Sequence, residues 1–126
     1  MLKNKNKNKV LIIEDEPALR ELLAKKFQKE GISVLSAADG EAGLRMAIEK
    51  KPNLIILDVL LPKMDGITML SELRKDQWGR NVPVFVWTNL NGNENIAKAL
   101  ERGVVGYLIK TDFTLSEITA KIKAYL

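Results

Sequence analysis

Two residue types are missing from this 126-residue sequence, and their absence narrows the chemistry it can perform. Without cysteine there is no disulfide, no thiolate nucleophile and no cysteine metal ligand. Without histidine there is no serine–histidine triad, and both the commonest zinc ligand and the usual general base are lacking. Carboxylate, hydroxyl and lysine chemistry remain, and this set suits hard cations and phosphate groups.

Long hydrophobic runs are missing as well. No apolar stretch approaches the roughly 20 residues that span a membrane, and the N-terminus lacks the apolar centre of a signal peptide. We therefore expect a cytoplasmic protein with no membrane partner. The length, with 46% hydrophobic and 29% charged residues, is typical of one globular domain.

Positive charge is concentrated at the N-terminus, although the formal net charge is only +4. The opening MLKNKNKNK alternates lysine with asparagine and has no apolar pattern. Because such a tract has nothing to bury, residues 1–8 are expected to form a flexible basic tail before a domain over residues 9–126. A tail of this kind can dock on an acidic partner or on nucleic acid. Elsewhere basic residues alternate with glutamates on predicted helix faces, so no direct DNA binding is expected.

The rest of the sequence alternates between short β-rich runs and amphipathic stretches. Helix starts are predicted at Pro17, after Asp39 and Asp65, and at Thr114, which forms a capping box with Glu117. A further helix is predicted within NENIAKALERG. One-face apolar spacing also places Leu22, Leu100 and Tyr125 on the inward faces of the first, fourth and fifth helices. The β-rich runs are VLIIE (Val10–Glu14), SVLSA (Ser33–Ala37), NLIILD (Asn53–Asp58), VPVFVWT (Val82–Thr88) and VGYLIK (Val105–Lys110).

This alternation predicts a parallel sheet with helices on both faces, because parallel strands need crossover connections. The first, third and fourth runs are the most continuously apolar, as central strands are, whereas the second and fifth suit edges. The expected fold is α/β and flavodoxin-like: a doubly wound five-stranded parallel sheet of order 2-1-3-4-5, with five helices, in three layers. Such sheets bind ligands outside the carboxyl ends of their strands, at the switch point between the first and third.

Residues that carry chemistry stand at four of these strand ends. Glu14 and Asp15 follow the first strand, Asp58 the third, Thr88 the fourth and Lys110 the fifth. Adjacent carboxylates repel one another unless a cation lies among them, and an oxygen-only crevice suits Mg²⁺. The lysine would supply a point charge and the threonine a hydroxyl for a phosphoryl group. The aspartate of the third strand is then the candidate nucleophile, accepting a phosphoryl group as an acyl phosphate.

Each of these residues has an ordinary structural interpretation when taken alone. An aspartate after a strand is more often a cap than a nucleophile, and the acids of EDEP favour the start of a helix. Thr88 and Lys110 are also common kinds of strand-end residue. The placement of one such group per strand, all at the same end of the sheet, favours a functional site.

The sequence resembles the receiver domain of two-component response regulators, the CheY-like phosphoacceptor domains, from Val10 to about Leu126. LIIEDEP is similar to the acidic pair of that family, and LIILDVLLPKMDG is similar to its phosphorylation-site segment. VFVWT carries the hydroxyl residue of the family, and GYLIK carries its switch aromatic residue and its lysine.

The resemblance implies a phosphoacceptor and a set of metal ligands. Asp58 is the residue that becomes phosphorylated, and it also binds Mg²⁺. Asp15 binds the metal directly, and Glu14 beside it binds through water. The backbone carbonyl of Leu60 is the remaining protein ligand.

The resemblance also implies a switch rather than an enzyme. Thr88 and Lys110 contact the phosphoryl group, and Tyr107 turns inward when the threonine moves toward the new oxygens. This movement would alter the surface made by the fourth helix, fifth strand and fifth helix, where a downstream protein partner binds. Because the sequence has no histidine, the donor is a separate sensor histidine kinase or histidine phosphotransfer protein. The protein is expected to be a monomer or a phosphorylation-dependent dimer.

One departure from the family pattern follows the lysine. The family usually has a proline there, often after a cis bond, whereas this sequence has Thr111. A cis bond before a residue other than proline costs about 3–4 kcal/mol. We therefore predict a trans Lys110–Thr111 bond, with the loop through Asp112 and Phe113 rearranged so that the ammonium reaches Asp58.

Two other positions are expected to affect the lifetime and accessibility of an acyl phosphate. Asn89 follows the hydroxyl residue, where the family usually has a small side chain, and is expected to restrict access. Leu60 and Leu90 flank the predicted site and are expected to shield the acyl phosphate from water.

Three other functions use the same fold or a related one. A haloacid-dehalogenase-type phosphatase needs a second aspartate two positions after the first, and Leu60 stands there. A dinucleotide-binding unit needs glycines after the first strand, where the acids of EDEP would repel phosphate. A degenerate receiver that binds partners without phosphorylation stays the main alternative.

Overall fold

A computed structural model of the protein describes residues 8–126. The strands are β1 (Lys9–Ile13), β2 (Ser33–Ala37), β3 (Leu54–Leu57), β4 (Val84–Thr88) and β5 (Gly106–Ile109). The α-helices are α1 (Pro17–Lys29), α2 (Gly40–Lys50), α3 (Gly66–Lys75), α4 (Asn93–Glu101) and α5 (Leu115–Lys123). No helix in this described part is long and apolar enough to cross a membrane.

The expected N-terminal tail lies outside the described residues except for its last residue. The backbone carbonyl of Asn8 accepts a hydrogen bond from the N–H of Ser33 at 3.0 Å. This contact continues the pairing of β1 with β2 by one residue beyond the start of β1.

The predicted sheet is confirmed. All strands are parallel and their order is β2-β1-β3-β4-β5. Strands β3 and β4 are buried along their whole length, and β2 and β5 form the partly exposed edges. Because successive side chains of a strand point to opposite faces, each strand contributes to two separate cores. One core lies against α1 and α5 and the other against α2, α3 and α4.

The predicted helix starts are confirmed at three caps. The side chains of Asp39 and Asp65 accept hydrogen bonds from the backbone N–H groups of Ala42 and Thr68. Thr114 and Glu117 form the reciprocal capping box. These caps fix where α2, α3 and α5 begin, and therefore fix the loops that join the strand ends to the helices.

Three residues expected to face inward are exposed instead: Leu22, Leu100 and Tyr125. In α1 the buried residues are Leu23 and Phe27, and Leu22 lies about 120° from the centre of that face. In α4 the buried residue is Ala99, so Leu100 points away from the sheet. Tyr125 lies beyond the end of α5, where the helical spacing no longer applies.

Candidate functional site

Three carboxylates meet at the carboxyl end of the sheet. Glu14 and Asp15 follow β1, and Asp58 follows β3, the neighbouring strand. One oxygen from each lies within 4.8 Å of the others. Glu14 and Asp58 are buried, whereas Asp15 is exposed. The cluster is therefore open to solvent on one side.

Both oxygens of Asp58 are held in place. The ammonium of Lys110 donates to Oδ2 at 2.8 Å, and the backbone N–H of Leu60 donates to Oδ1 at 3.1 Å. The Asp58 backbone N–H donates to the carbonyl of Ile13 at the end of β1. The carboxylate thus has a fixed position and a compensating charge, although it is almost completely buried.

The backbone after Asp58 packs tightly against the start of α3. The N–H of Gly66 donates to the carbonyl of Val59 at 2.8 Å. A Cβ atom on Gly66 would lie 2.4 Å from the backbone oxygen of Asp58. A glycine is therefore required here by close backbone approach, which explains the MDG sequence at the start of this helix.

Glu14 is buried, and its carboxylate faces the same lysine. The Glu16 backbone N–H donates to Oε2 at 3.0 Å, and Arg20 donates to the Glu14 carbonyl at 2.7 Å. The ammonium of Lys110 lies 2.6 Å from Oε1 and forms an ion pair with it. Burial raises the pKa of Glu14, and the nearby lysine opposes this rise only in part.

Lys110 lies between the two buried carboxylates. Burial alone would lower its pKa, but the hydrogen bond and charge of Asp58, together with those of Glu14, raise it. The predicted trans bond after this lysine is confirmed, since residues 8–126 contain no cis peptide. Lys110–Asp112 form a short 3₁₀ turn, and the ammonium reaches Asp58 as expected.

Thr88 and Tyr107 are not hydrogen-bonded to the carboxylate cluster. The hydroxyl of Thr88, at the end of β4, accepts a hydrogen bond from the N–H of Leu90 at 3.2 Å. The phenol of Tyr107, in β5, donates to the carbonyl of the same leucine. Burial, and after it the charge of Asp58, raises the pKa of Tyr107. The two predicted switch residues are therefore connected to each other through one residue of the loop after β4.

A cavity of about 620 Å³ opens beside the cluster, between the loop after β3 and helix α4. Its lining includes Asp15, Leu60 and Leu90 together with Lys98. Both leucines line this cavity beside Asp15. Their effect on the lifetime of an acyl phosphate stays a prediction.

Sequence reasoning missed three residues that support the site and its surroundings. Arg20 fixes the carbonyl of Glu14. Trp87 places its ring beside Lys110. Arg74 donates four hydrogen bonds to carbonyls of the loop before β4 and the turn after α4. The partners in these contacts are between five and 29 positions apart, with no regular spacing that would reveal them. The one usable sequence signal was the position of Trp87 immediately before Thr88 on a buried strand.

The donor set of this cluster fits a hard divalent cation. It offers carboxylate oxygens from three residues and no nitrogen or sulfur ligand. The Oε1 atom of Glu14 is paired with the ammonium of Lys110 at 2.6 Å, and a carboxylate oxygen has a second lone pair that can bind a cation. Oxygen ligands of this kind are those that Mg²⁺ and Ca²⁺ prefer.

The fold and this geometry agree with comparisons with known proteins. The family described as the response regulator receiver domain matches residues 10–123. The DNA-binding dual master transcriptional regulator RpaA of Synechocystis sp. is 35% identical over 118 residues, which cover 94% of this chain and 48% of RpaA. The receiver domain of the Francisella response regulator 1452 is 30% identical, with a TM-score of 0.84 and coverage of 94% and 95% of the two chains.

A third similar protein contains a metal. The receiver domain of sensor histidine kinase PA1611 from Pseudomonas aeruginosa PAO1 has a magnesium ion coordinated in its active site cleft. It is 26% identical to this chain, with a TM-score of 0.83 and coverage of 94% of this chain and 96% of that one.

The chain therefore belongs to the response regulator receiver domain family, the CheY-like signalling domains of two-component systems. It spans about half the length of the curated relatives that it matches.

Proposed function

We propose that this domain is a phosphorylation-dependent switch that accepts one phosphoryl group on Asp58 in a Mg²⁺-dependent reaction. The proposal rests on one observation, the surroundings of the Asp58 carboxylate. It lies in an acidic cluster open to solvent on one side, with a lysine ammonium at 2.8 Å and a backbone N–H at 3.1 Å. An aspartate that served only as a cap would need neither the second and third carboxylates nor a buried lysine.

The proposed reaction is a direct transfer from a phosphohistidine. An oxygen of Asp58 forms a bond to phosphorus while the nitrogen–phosphorus bond of the donor breaks, and the bonding electron pair stays on the imidazole. Phosphoryl transfer depends mainly on position and charge neutralisation. Lys110 supplies a positive charge at the acceptor, and Thr88 supplies a hydroxyl at the adjacent strand end.

Asp15, Glu14 and Asp58 would hold the Mg²⁺ ion, and the backbone carbonyl of Leu60 is proposed as a further ligand. When bound, the ion would neutralise charge on the phosphoryl oxygens. Leu60 would then serve both groups, because its backbone N–H already holds the acceptor carboxylate. A shared cation would explain why three acids are concentrated at one strand junction.

The output of such a switch is a changed affinity for a protein partner. We propose a sensor histidine kinase or histidine phosphotransfer protein as the donor, and a downstream protein that binds the face formed by α4, β5 and α5. The protein would act in the cytoplasm, as a monomer or as a dimer formed on phosphorylation. It modifies its own side chain once per cycle and transforms no separate substrate, so we do not class it as an enzyme. No direct DNA binding by this domain is proposed.

The test is phosphorylation with acetyl phosphate and Mg²⁺, followed by intact-protein mass spectrometry. We expect a gain of one phosphoryl group, which disappears when the metal is chelated. Asp58→Asn keeps the shape of the acceptor without its nucleophilic oxygen and should prevent the gain. Asp112→Asn, at an exposed aspartate of the 3₁₀ turn, is the control and should leave phosphorylation unchanged.

Label that persists in a folded Asp58→Asn protein would disprove the assignment of the acceptor. A wild-type protein that takes up no phosphoryl group from acetyl phosphate or from a histidine phosphotransfer protein would favour the degenerate-receiver alternative. In that case a partner would bind the wild-type protein and the Asp58→Asn protein equally well.

A further inference from the structure

The indole ring of Trp87 lies beside the ammonium of Lys110. The distance from Nζ to the ring centroid is 4.9 Å, within the range of a cation–π interaction. The sheet register produces this contact. Trp87 is paired with Leu108 across β4 and β5, and Lys110 is two residues further along, so the two side chains are diagonal neighbours.

The ammonium is therefore surrounded on three sides. Oδ2 of Asp58 and Oε1 of Glu14 occupy two sides, and the ring face of Trp87 occupies another. The lysine side chain is only 11% exposed, so little water is available to replace any of these contacts. A cation–π contact is strongest when the cation is desolvated in this way.

Packing alone does not explain a tryptophan at this position. Its Nε1 atom is buried and has no hydrogen-bond partner among the described residues, whereas a buried indole N–H usually finds one. Phenylalanine or leucine would fill a buried strand position without leaving this donor unpaired. The property that tryptophan adds is its ring face, which attracts cations more strongly than the rings of tyrosine and phenylalanine do.

We infer that Trp87 is a positioning residue for the proposed phosphoryl transfer, and that its ring holds the ammonium of Lys110 at Asp58. The inference rests on the proposed function. When the carboxylates change partners on metal binding or phosphorylation, the ring remains as a contact of constant charge and fixed position. It limits how far the lysine can move.

The contact is tested first by fluorescence, independently of phosphorylation. The sequence has two tryptophans, so Trp78→Phe leaves Trp87 as the single reporter. In this background Lys110→Met should change the emission spectrum of Trp87. Lys63→Met, at an exposed lysine of the loop after β3, is the control and should not. Identical spectra for Lys110→Met and its parent, with both proteins folded by circular dichroism, would overturn the inference.

The positioning role is tested by the rate of phosphorylation with acetyl phosphate at saturating Mg²⁺. Trp87→Leu should reduce the rate about tenfold, and Trp87→Phe, which keeps a ring face, should recover part of the loss. Phe85→Leu is the matched control, because Phe85 is a buried aromatic residue on the same strand that packs against Tyr125. It should leave the rate unchanged, since its ring packs against that tyrosine. If Trp87→Leu does not fold, Trp87→Phe should still be about threefold slower than the wild type.

Equal rates for the wild type, Trp87→Leu and Trp87→Phe would overturn the positioning role. Equal slowing by Trp87→Leu and Phe85→Leu would also overturn it, because general loosening of the core would then explain the effect. A wild-type protein that is never phosphorylated would contradict the proposed function instead, and the fluorescence comparison would still decide whether the contact exists.

Discussion

Thr88 and Tyr107 bind the backbone of the same residue, Leu90, from two sides. The threonine hydroxyl accepts the Leu90 N–H, and the tyrosine hydroxyl donates to the Leu90 carbonyl. If Thr88 turns toward a phosphoryl group, the N–H loses its acceptor and the loop after β4 is released at the point where Tyr107 is attached. The proposed coupling between acceptor site and output face is therefore a chain of two hydrogen bonds.

This relationship predicts an energetic coupling between Thr88 and Tyr107. Tyr107→Phe should lower the free energy of unfolding by about 0.5–1.5 kcal/mol, because it removes one hydrogen bond. Thr88→Val should cost about 1–3 kcal/mol, because it leaves the Leu90 N–H without an acceptor. Urea unfolding of both single variants and the double variant should show non-additivity of at least about 0.5 kcal/mol. Strict additivity would show that the two contacts are independent.

Tyr125→Phe is the control for that cycle. Tyr125 is about half exposed, and its ring packs edge-to-face on Phe85. Replacement by phenylalanine keeps the ring contact and removes a hydroxyl at the surface. Its unfolding free energy should stay within about 0.5 kcal/mol of the wild type.

Asp15 is expected to be a metal ligand whose removal leaves the fold intact. The residue is exposed and precedes α1, so Asp15→Ala should change the free energy of unfolding by less than about 0.5 kcal/mol. Mg²⁺ affinity, measured by calorimetry, should fall because one of three carboxylates is lost. Asp112→Ala is the comparison and should bind the ion like the wild type. An unchanged affinity in Asp15→Ala would mean that the exposed acid is only part of the helix start.

Asp65 should make the stability of α3 depend on pH. Burial opposes its charged form, but hydrogen bonds from the Thr68 backbone and hydroxyl outweigh burial and lower its pKa below 3.8. A carboxyl group whose pKa is lower in the folded state than in the unfolded state stabilises the protein at pH values above its unfolded-state pKa. This stabilisation is lost as the pH falls through the folded-state pKa. The stabilisation is thus fully present at neutral pH.

Two substitutions separate the cap from the charge. Asp65→Ala removes both and should cost about 1 kcal/mol near neutral pH, as measured by urea unfolding. Asp65→Asn keeps a capping oxygen, so its cost should be smaller. The difference between wild type and Asp65→Asn should shrink as the pH falls below 3.8. A difference that grows in acid would contradict the lowered pKa.

Gly66→Ala should displace the loop that carries Asp58. The new methyl group would meet the backbone of Asp58 and Val59, so one of the two segments must move. We expect a loss of about 1–3 kcal/mol in unfolding free energy and a slower phosphorylation of Asp58. Gly31→Ala is the control: it has φ +80° but open space around it, so it should lower stability without changing the phosphorylation rate. A normal rate in Gly66→Ala would show that the loop tolerates displacement.

The sequence was sufficient for features that depend on local pattern or on strand ends. Apolar runs identified the strands, the caps at Asp39 and Asp65 identified helix starts, and the position of Lys110 after β5 implied its contact with Asp58. The sequence did not predict which residues of a helix are buried where several elements pack on the same face of the sheet. Leu22 and Leu100 fit a helical apolar pattern, but the angle at which each helix lies on the sheet decides which side of that pattern is buried. The spacing of apolar residues along a helix does not determine the angle at which the helix lies on the sheet.

Contacts of single long side chains were also not predictable. Arg74 lies on α3 and looks like an ordinary surface residue at the end of a helix. It is half-buried, burial lowers its pKa, and its guanidinium binds carbonyls of Gly79, Val82, Arg102 and Gly103. Those carbonyls come from two loops that meet only in the folded protein.

The same long-range assembly has a consequence for the proposed signalling. Asp58 and Lys110 are 52 positions apart in the chain, and Glu14 is farther from that lysine still. A molecule in which β5 has detached from β4 would keep the aspartate but lose the lysine, and one in which β1 has detached would lose two of the three acids. Neither molecule would be phosphorylated at a normal rate. Only correctly folded molecules would therefore carry the phosphoryl group. A kinase would not phosphorylate damaged or half-folded copies.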